Sequence, residues 1–121
     1  MRWQVRENRK IMIISDEQVV LVDENDNKVG LMGKLEAHKG EGTLHRAISV
    51  VIWRTNNSER ERDRGVEVLL QKRGVKKPLW PFYWSNTVCT HPRDGESYED
   101  CGQRRLLEEM GIEFEAKRLK F

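Results

Sequence analysis

At 121 residues, 35% charged and 37% hydrophobic, the chain is long enough for one small domain with a core and too short for two. Acidic and basic side chains nearly cancel to a formal charge of +2, which excludes the broad positive field of a nucleic-acid binder. No apolar run reaches transmembrane length, Met1 to Lys10 lacks the apolar centre of a signal peptide, and two cysteines make no disulfide framework, so a cytoplasmic protein with no membrane partner and two free thiols is expected.

Residues 1–17 read as a polar N-terminal extension, with Ile11 to Ile14 apolar enough for one short strand. Val19 to Asp23 and Lys28 to Met32 flank the turn chemistry of Glu24 to Asn27, which predicts a hairpin. Gly33 to Gly42 is expected to be a loop carrying Lys34 and His38. Leu44 to Trp53 then reads as a buried strand with His45, Ala47, Ser49, Val51 and Trp53 on one face. The polar run RTNNSERERDRG, residues 54–65, predicts a solvated hairpin loop, with Val66 to Lys72 as the return strand.

Arg73, Lys76 and Lys77 in RGVKKP fit either ordinary solubilising charge or an anion clamp for phosphate groups. The aromatic run Trp80 to Trp84 fits either core or a wall whose ring faces stabilise cations. In an extended segment, Thr87, Cys89 and His91 share a face, which sets a thiol beside an imidazole. Pro92 and the Arg93-Asp94-Gly95 turn end that segment. Ser97 with Asp100 resembles a capping box, so a helix is predicted from about Tyr98. Leu106, Leu107 and Met110 supply its apolar stripe, Arg105 and Glu109 stand one turn apart, and Gly111 supplies a stop. Glu113 to Phe121 reads as the start of a further strand.

The chemistry-bearing residues are His38, His45 and His91, with Cys89 and Glu109. A single histidine is more often a surface or hydrogen-bonded core residue than a ligand. Three imidazoles with added carboxylates nevertheless suit a divalent transition metal, although the spacings match no zinc-finger pattern.

The segments KLEAHKGEGTLHRAIS and LLQKRGVKKPLWPFYWSNTVCTHPRDGES, with the helix that follows, resemble the type 1 isopentenyl-diphosphate isomerases of the Nudix superfamily. The resemblance spans residues 18–121 and is most specific at W-x-N-x-V-C-x-H-P. Glu96, Arg104, Leu106, Glu108, Glu109, Gly111 and Ile112 match the Nudix box; Thr90 stands at its first Gly, and Arg105 at the Glu after its Arg. A guanidinium in place of that carboxylate removes a magnesium ligand, which disfavours pyrophosphohydrolysis and leaves the isomerase reading intact.

The resemblance implies an α/β fold, a Nudix-type α/β/α sandwich with a mixed sheet, incomplete at its C-terminal side. It implies conversion of isopentenyl diphosphate to dimethylallyl diphosphate in isoprenoid biosynthesis, by protonation of an alkene and loss of a proton from the neighbouring carbon. Cys89 matches the catalytic cysteine. His38, His45 and His91 match the ligands of a tightly held ion, Mn2+ or Zn2+, and Glu109 with the Cys89 carbonyl matches a site for Mg2+ that bridges to the diphosphate. Lys34, Arg73 and Lys77 match basic residues that hold the prenyl diphosphate, and Thr90 lies close to it. The family's later Glu-x-Glu strand and C-terminal aromatic wall have no counterpart; Glu113 and Glu115 imitate the spacing but read as ordinary strand residues. A fragment of a longer reading frame or a shortened protein is therefore expected, with an uncovered sheet edge that favours self-association; the oligomeric state stays open. The alternatives are a Nudix-type diphosphate hydrolase and a non-catalytic metal- and diphosphate-binding domain.

Overall fold

The computed structural model describes residues 17–77 and 80–120. The N-terminal extension, with its expected strand at Ile11 to Ile14, lies outside the described residues except for Glu17, as does Phe121. The chain divides into two compact units, one of residues up to Ala47 with His91–Cys101, the other of Ile48–Thr90 with residues from Gly102 onward.

The first unit opens with the predicted hairpin, β1 (Gln18–Val22) antiparallel to β2 (Lys28–Gly33), with an irregularity between Leu21 and Val22. The turn is built by Asp23, whose Oδ1 accepts the backbone N–H of Asn25 and of Asn27, each at 2.9 Å. An aspartate folding back on its own backbone in this way fixes the turn and hence the register. Val19 and Val20 are buried. The segment expected as a loop contains one helical turn, α1 (Lys34–Ala37), which Gly40 and Gly42 at positive φ then end. The chain returns beside β1, where Arg46 N–H donates to the Val20 carbonyl at 2.9 Å and His45 bridges to Leu21.

In the second unit the predicted strand Leu44 to Trp53 is two strands, β3 (Ile48–Val50) and β4 (Ile52–Asn56), and His45 precedes both. The break at Val51 is a change of partner: β3 pairs with β8 (Val88–Thr90), whereas β4 pairs with β5 (Gly65–Leu69). Side-chain alternation survives it. Val50 is buried and Ile48 and Ile52 pack against it, while Ser49, Val51 and Trp53 face outward. Of the polar run 54–65, residues 54–56 and 65 extend β4 and β5 and pair across the hairpin, so the expected connection shortens to 57–64, with a 3-10 turn at Glu61–Asp63. Two short strands, β6 (Gln71–Lys72) and β7 (Trp84–Ser85), form a further pair.

Helix α2 (Tyr98–Met110) begins where the Ser97 signature puts it, Asp100 N–H donating to Ser97 Oγ at 3.0 Å. Gly111, at φ 65, ends it, its N–H donating to the Leu107 carbonyl at 3.0 Å. Leu106, Val50 and Val88 form the buried core of this unit, extended by Met110, Ile112, Phe114 and Leu119.

The α/β class expected from the sequence stands. Among the described residues the strands form four two-stranded sheets, every pairing antiparallel. Two further local expectations change, and one open alternative closes. Glu113 to Phe121 does not start a strand in its described part; it turns through a 3-10 helix at Ala116–Arg118, and the core pairs Phe114 and Leu119 come from that irregular path. The aromatic run is not core: Trp80, Phe82, Tyr83 and Trp84 are all exposed, and Trp80 and Phe82 take positive φ values that a regular strand would not allow. Thr87 and Cys89 do not share a setting, because Thr87 precedes β8 and is buried while Cys89 is exposed on it. No helix among the described residues is long and apolar enough to cross a membrane.

Candidate functional site

His38, His45 and His91 come together in the first unit, one ligand atom of each lying within 4.8 Å of the others. His38 follows α1, His45 sits in the segment bridged to β1, and His91 leads out of β8. Ring centroids are 4.7 Å apart for His38 and His45, 5.1 Å for His45 and His91, and 5.5 Å for His38 and His91.

The ring orientations follow from backbone carbonyls. His38 Nδ1 is 2.6 Å from the Lys34 carbonyl, and His45 Nδ1 is 2.6 Å from the Thr43 carbonyl. A carbonyl oxygen only accepts, so both Nδ1 atoms carry the hydrogen, and each neutral ring keeps its lone pair on Nε2. Carbonyl anchoring of one ring nitrogen is how ligating imidazoles are ordinarily held. His91 differs: its Nδ1 is buried with no partner among the described residues. Burial pushes its pKa from 6.5 down to about 4, with the Lys34 ammonium and the other two rings adding to the effect and Glu17 opposing it. The ring is therefore neutral near pH 7, which is the ligating form. Three imidazoles within reach of one ion, one with an unsatisfied buried nitrogen, fit a divalent transition metal. An open cavity of about 610 Å³ borders His38 and His45, with Glu41, Thr43 and Leu44 also in its wall. The Lys34 ammonium, in the same unit, pairs with Glu17 at 3.2 Å.

The second unit holds the thiol and the box carboxylate. Cys89 is exposed at the middle of β8, directly opposite Ser49, and Cys101, the other cysteine, is buried in the first unit. Thr90 pairs with Ile48. Asn86 donates its side-chain amide to Ser49 Oγ at 2.7 Å, and Ser49 Oγ lies 3.5 Å from Cys89 Sγ. The sequence alone puts Ser49 on a strand face and gives Asn86 no part in the chemistry; the register that brings Ser49 to the sulfur is a property of the β3–β8 pair.

Glu109 is ion-paired to Arg105 one turn earlier and to Lys77 at 3.4 Å. The Gln71 amide, turned with its nitrogen toward the carboxylate, adds a donor at 3.1 Å and spans to the Thr87 carbonyl. Arg105 also pairs with Glu108 at 2.8 Å, while its Nε is buried without a partner among the described residues. The residue read as a departure from the box is thus what holds the box carboxylate. Arg73 exchanges backbone hydrogen bonds with Tyr83 and Phe82, so the RGVKKP turn is closed by the aromatic run.

Comparison with known proteins shows the family of the chain. The NUDIX domain family matches residues 43–121. The chain is 46% identical over 100 residues to the isopentenyl-diphosphate Delta-isomerase of Photobacterium profundum, covering 83% of this chain and 52% of that protein. It is 50% identical over 96 residues to the enzyme of the same name from Aliivibrio fischeri, covering 79% and 49%, and 37% identical over 97 residues to that of Halobacterium salinarum, covering 80% and 41%. The chain spans about half the length of the curated relatives it matches.

Proposed function

This chain belongs to the NUDIX domain family, and from that membership we propose that it acts on isopentenyl diphosphate, isomerising it to dimethylallyl diphosphate in isoprenoid biosynthesis. The observation that carries the reading is the grouping of His38, His45 and His91 within 4.8 Å, in a chain similar to isomerases of that name.

In this reading the domain begins near residue 18. Protonating the terminal alkene carbon gives a tertiary carbocation, and loss of a proton from the neighbouring carbon gives the product, so one group delivers a proton and another takes one. Cys89 is one of the two, exchanging its proton with an allylic carbon. Lys34, Arg73 and Lys77, with Thr90, hold the diphosphate and so fix the alkene relative to the sulfur. His38, His45 and His91 hold Mn2+ or Zn2+, and Glu109 with the Cys89 carbonyl holds Mg2+. A bound divalent ion supplies charge neutralisation at the diphosphate. The exposed rings of Trp80, Phe82, Tyr83 and Trp84 offer faces to a cationic intermediate.

A second reading is that these residues bind metal and diphosphate without turnover. Incubation with isopentenyl diphosphate, Mg2+ and Mn2+, followed by mass spectrometry and phosphate release, separates the outcomes. Dimethylallyl diphosphate establishes the isomerase, inorganic phosphate a hydrolase, and saturable binding with neither product a binding domain.

A further inference from the structure

We propose that Ser49, aimed by Asn86, is the positioning residue that holds the Cys89 sulfur in a single orientation. The inference rests on the reading of Cys89 as a proton-exchanging group.

The antiparallel register sets Ser49 opposite Cys89, and a directly opposed pair has its Cβ atoms only about 4.5–5.5 Å apart. Ser49 Oγ is accordingly 3.5 Å from Sγ, a normal separation for a hydrogen bond to the larger sulfur atom. Distance alone does not say which atom donates. The Asn86 amide NH2 donates to Ser49 Oγ at 2.7 Å, which occupies one of its two lone pairs and leaves the hydroxyl hydrogen available to the sulfur. The hydroxyl hydrogen is then left for another acceptor, and among the described residues Cys89 Sγ is the one that Ser49 meets.

The three side chains form a directed line from Asn86 Nδ2 to Ser49 Oγ to Cys89 Sγ, with both ends on exposed residues. An exposed cysteine side chain otherwise moves among three staggered rotamers. Proton transfer at carbon requires a defined approach, and misplacement of the transferring atom lowers the rate without changing substrate affinity. Ser49 touches the sulfur and acts through it.

The test uses Ser49→Ala, Ser49→Thr and Asn86→Asp. The Asp variant is nearly isosteric but accepts the Ser49 hydrogen, which turns the hydroxyl away from sulfur. Three-bond Hα–Hβ couplings of Cys89, measured by NMR on the full chain, report the rotamer directly and need no turnover. Single-rotamer couplings are expected in the parent and in Ser49→Thr, and averaged couplings in Ser49→Ala and Asn86→Asp at unchanged melting temperature. Unchanged couplings in Ser49→Ala overturn the proposal. In the isomerase assay, Ser49→Ala is expected to lower kcat about five- to tenfold, the fold-change of one hydrogen bond, with KM unchanged. If the parent chain turns over no substrate, the isomerase reading fails while the couplings still decide the positioning.

Discussion

Glu109 and Arg105 are ion-paired across one turn of α2, and the carboxylate side chain is only 10% exposed. A carboxylate buried to that degree stays charged because cations face it, and Lys77 is the second of them. Replacing Arg105 by Glu, which restores the box pattern, would remove the closest partner and set a like charge one turn away. We expect Arg105→Glu to cost about 2–3 kcal/mol in urea unfolding, a moderate version of the penalty for orphaning a buried charge. Millimolar Mg2+ should recover part of the loss; no recovery would show that the helix carboxylates do not gather around an ion in that variant.

The grouped imidazoles predict one divalent ion per chain, measured by elemental analysis after dialysis against Mn2+ or Zn2+. His38→Ala, His45→Ala and His91→Ala should each weaken binding at least about tenfold, since loss of an outer-shell partner alone costs roughly 10–100-fold. Affinity equal to the parent's in all three variants would place the ion elsewhere.

Two groups make stability depend on pH in separate windows. With chelator present, folded His91 titrates at about 4 against 6.5 for an exposed ring, so between these values the unfolded chain binds the extra proton. Stability should be full above about pH 6.5 and fall as the pH drops toward 4. The Arg46 guanidinium, with the Tyr98 hydroxyl, holds Asp26 below its usual 3.8. Its contribution is present above pH 3.8 and is lost as the pH falls through the lowered folded value. Urea midpoints from pH 8 to 3 test both: His91→Asn should flatten the upper slope alone, and Asp26→Asn the lower.

Gly102 is a glycine inside a helix, where Ala would ordinarily gain about 1 kcal/mol. A Cβ there would stand 2.7 Å from Leu119 Cδ1 and 3.6 Å from Val50 Cγ2. Overpacking costs about 1–3 kcal/mol, so Gly102→Ala should be neutral to about 2 kcal/mol destabilising. In Gly102→Ala/Leu119→Ala the clash is gone, and thermal unfolding should show clear non-additivity.

Elements with local determinants were legible in the sequence. The Asp23 turn, the Ser97 cap and the Gly111 stop each act through their own backbone, and the hairpin and α2 lie where these residues put them. The grouping of the three histidines was legible only through the resemblance, since His38 and His91 are 53 positions apart and no local rule brings them together. The partner change at Val51 is decided by which strand each half meets, which periodicity does not encode. The aromatic run fitted core and wall alike, because hydrophobicity cannot tell a buried ring from an exposed one. For the same reason the Asn86-Ser49-Cys89 line was out of reach: it exists only once Ser49 and Cys89 are in register.

The measurement closest to the central claim is NMR of isopentenyl diphosphate in deuterated buffer with Mg2+ and Mn2+, comparing the parent chain with Cys89→Ala. Deuterium should enter the allylic positions together with formation of dimethylallyl product, both lost in Cys89→Ala. No deuterium incorporation by a metal-loaded, folded parent chain, or undiminished incorporation by Cys89→Ala, would contradict it.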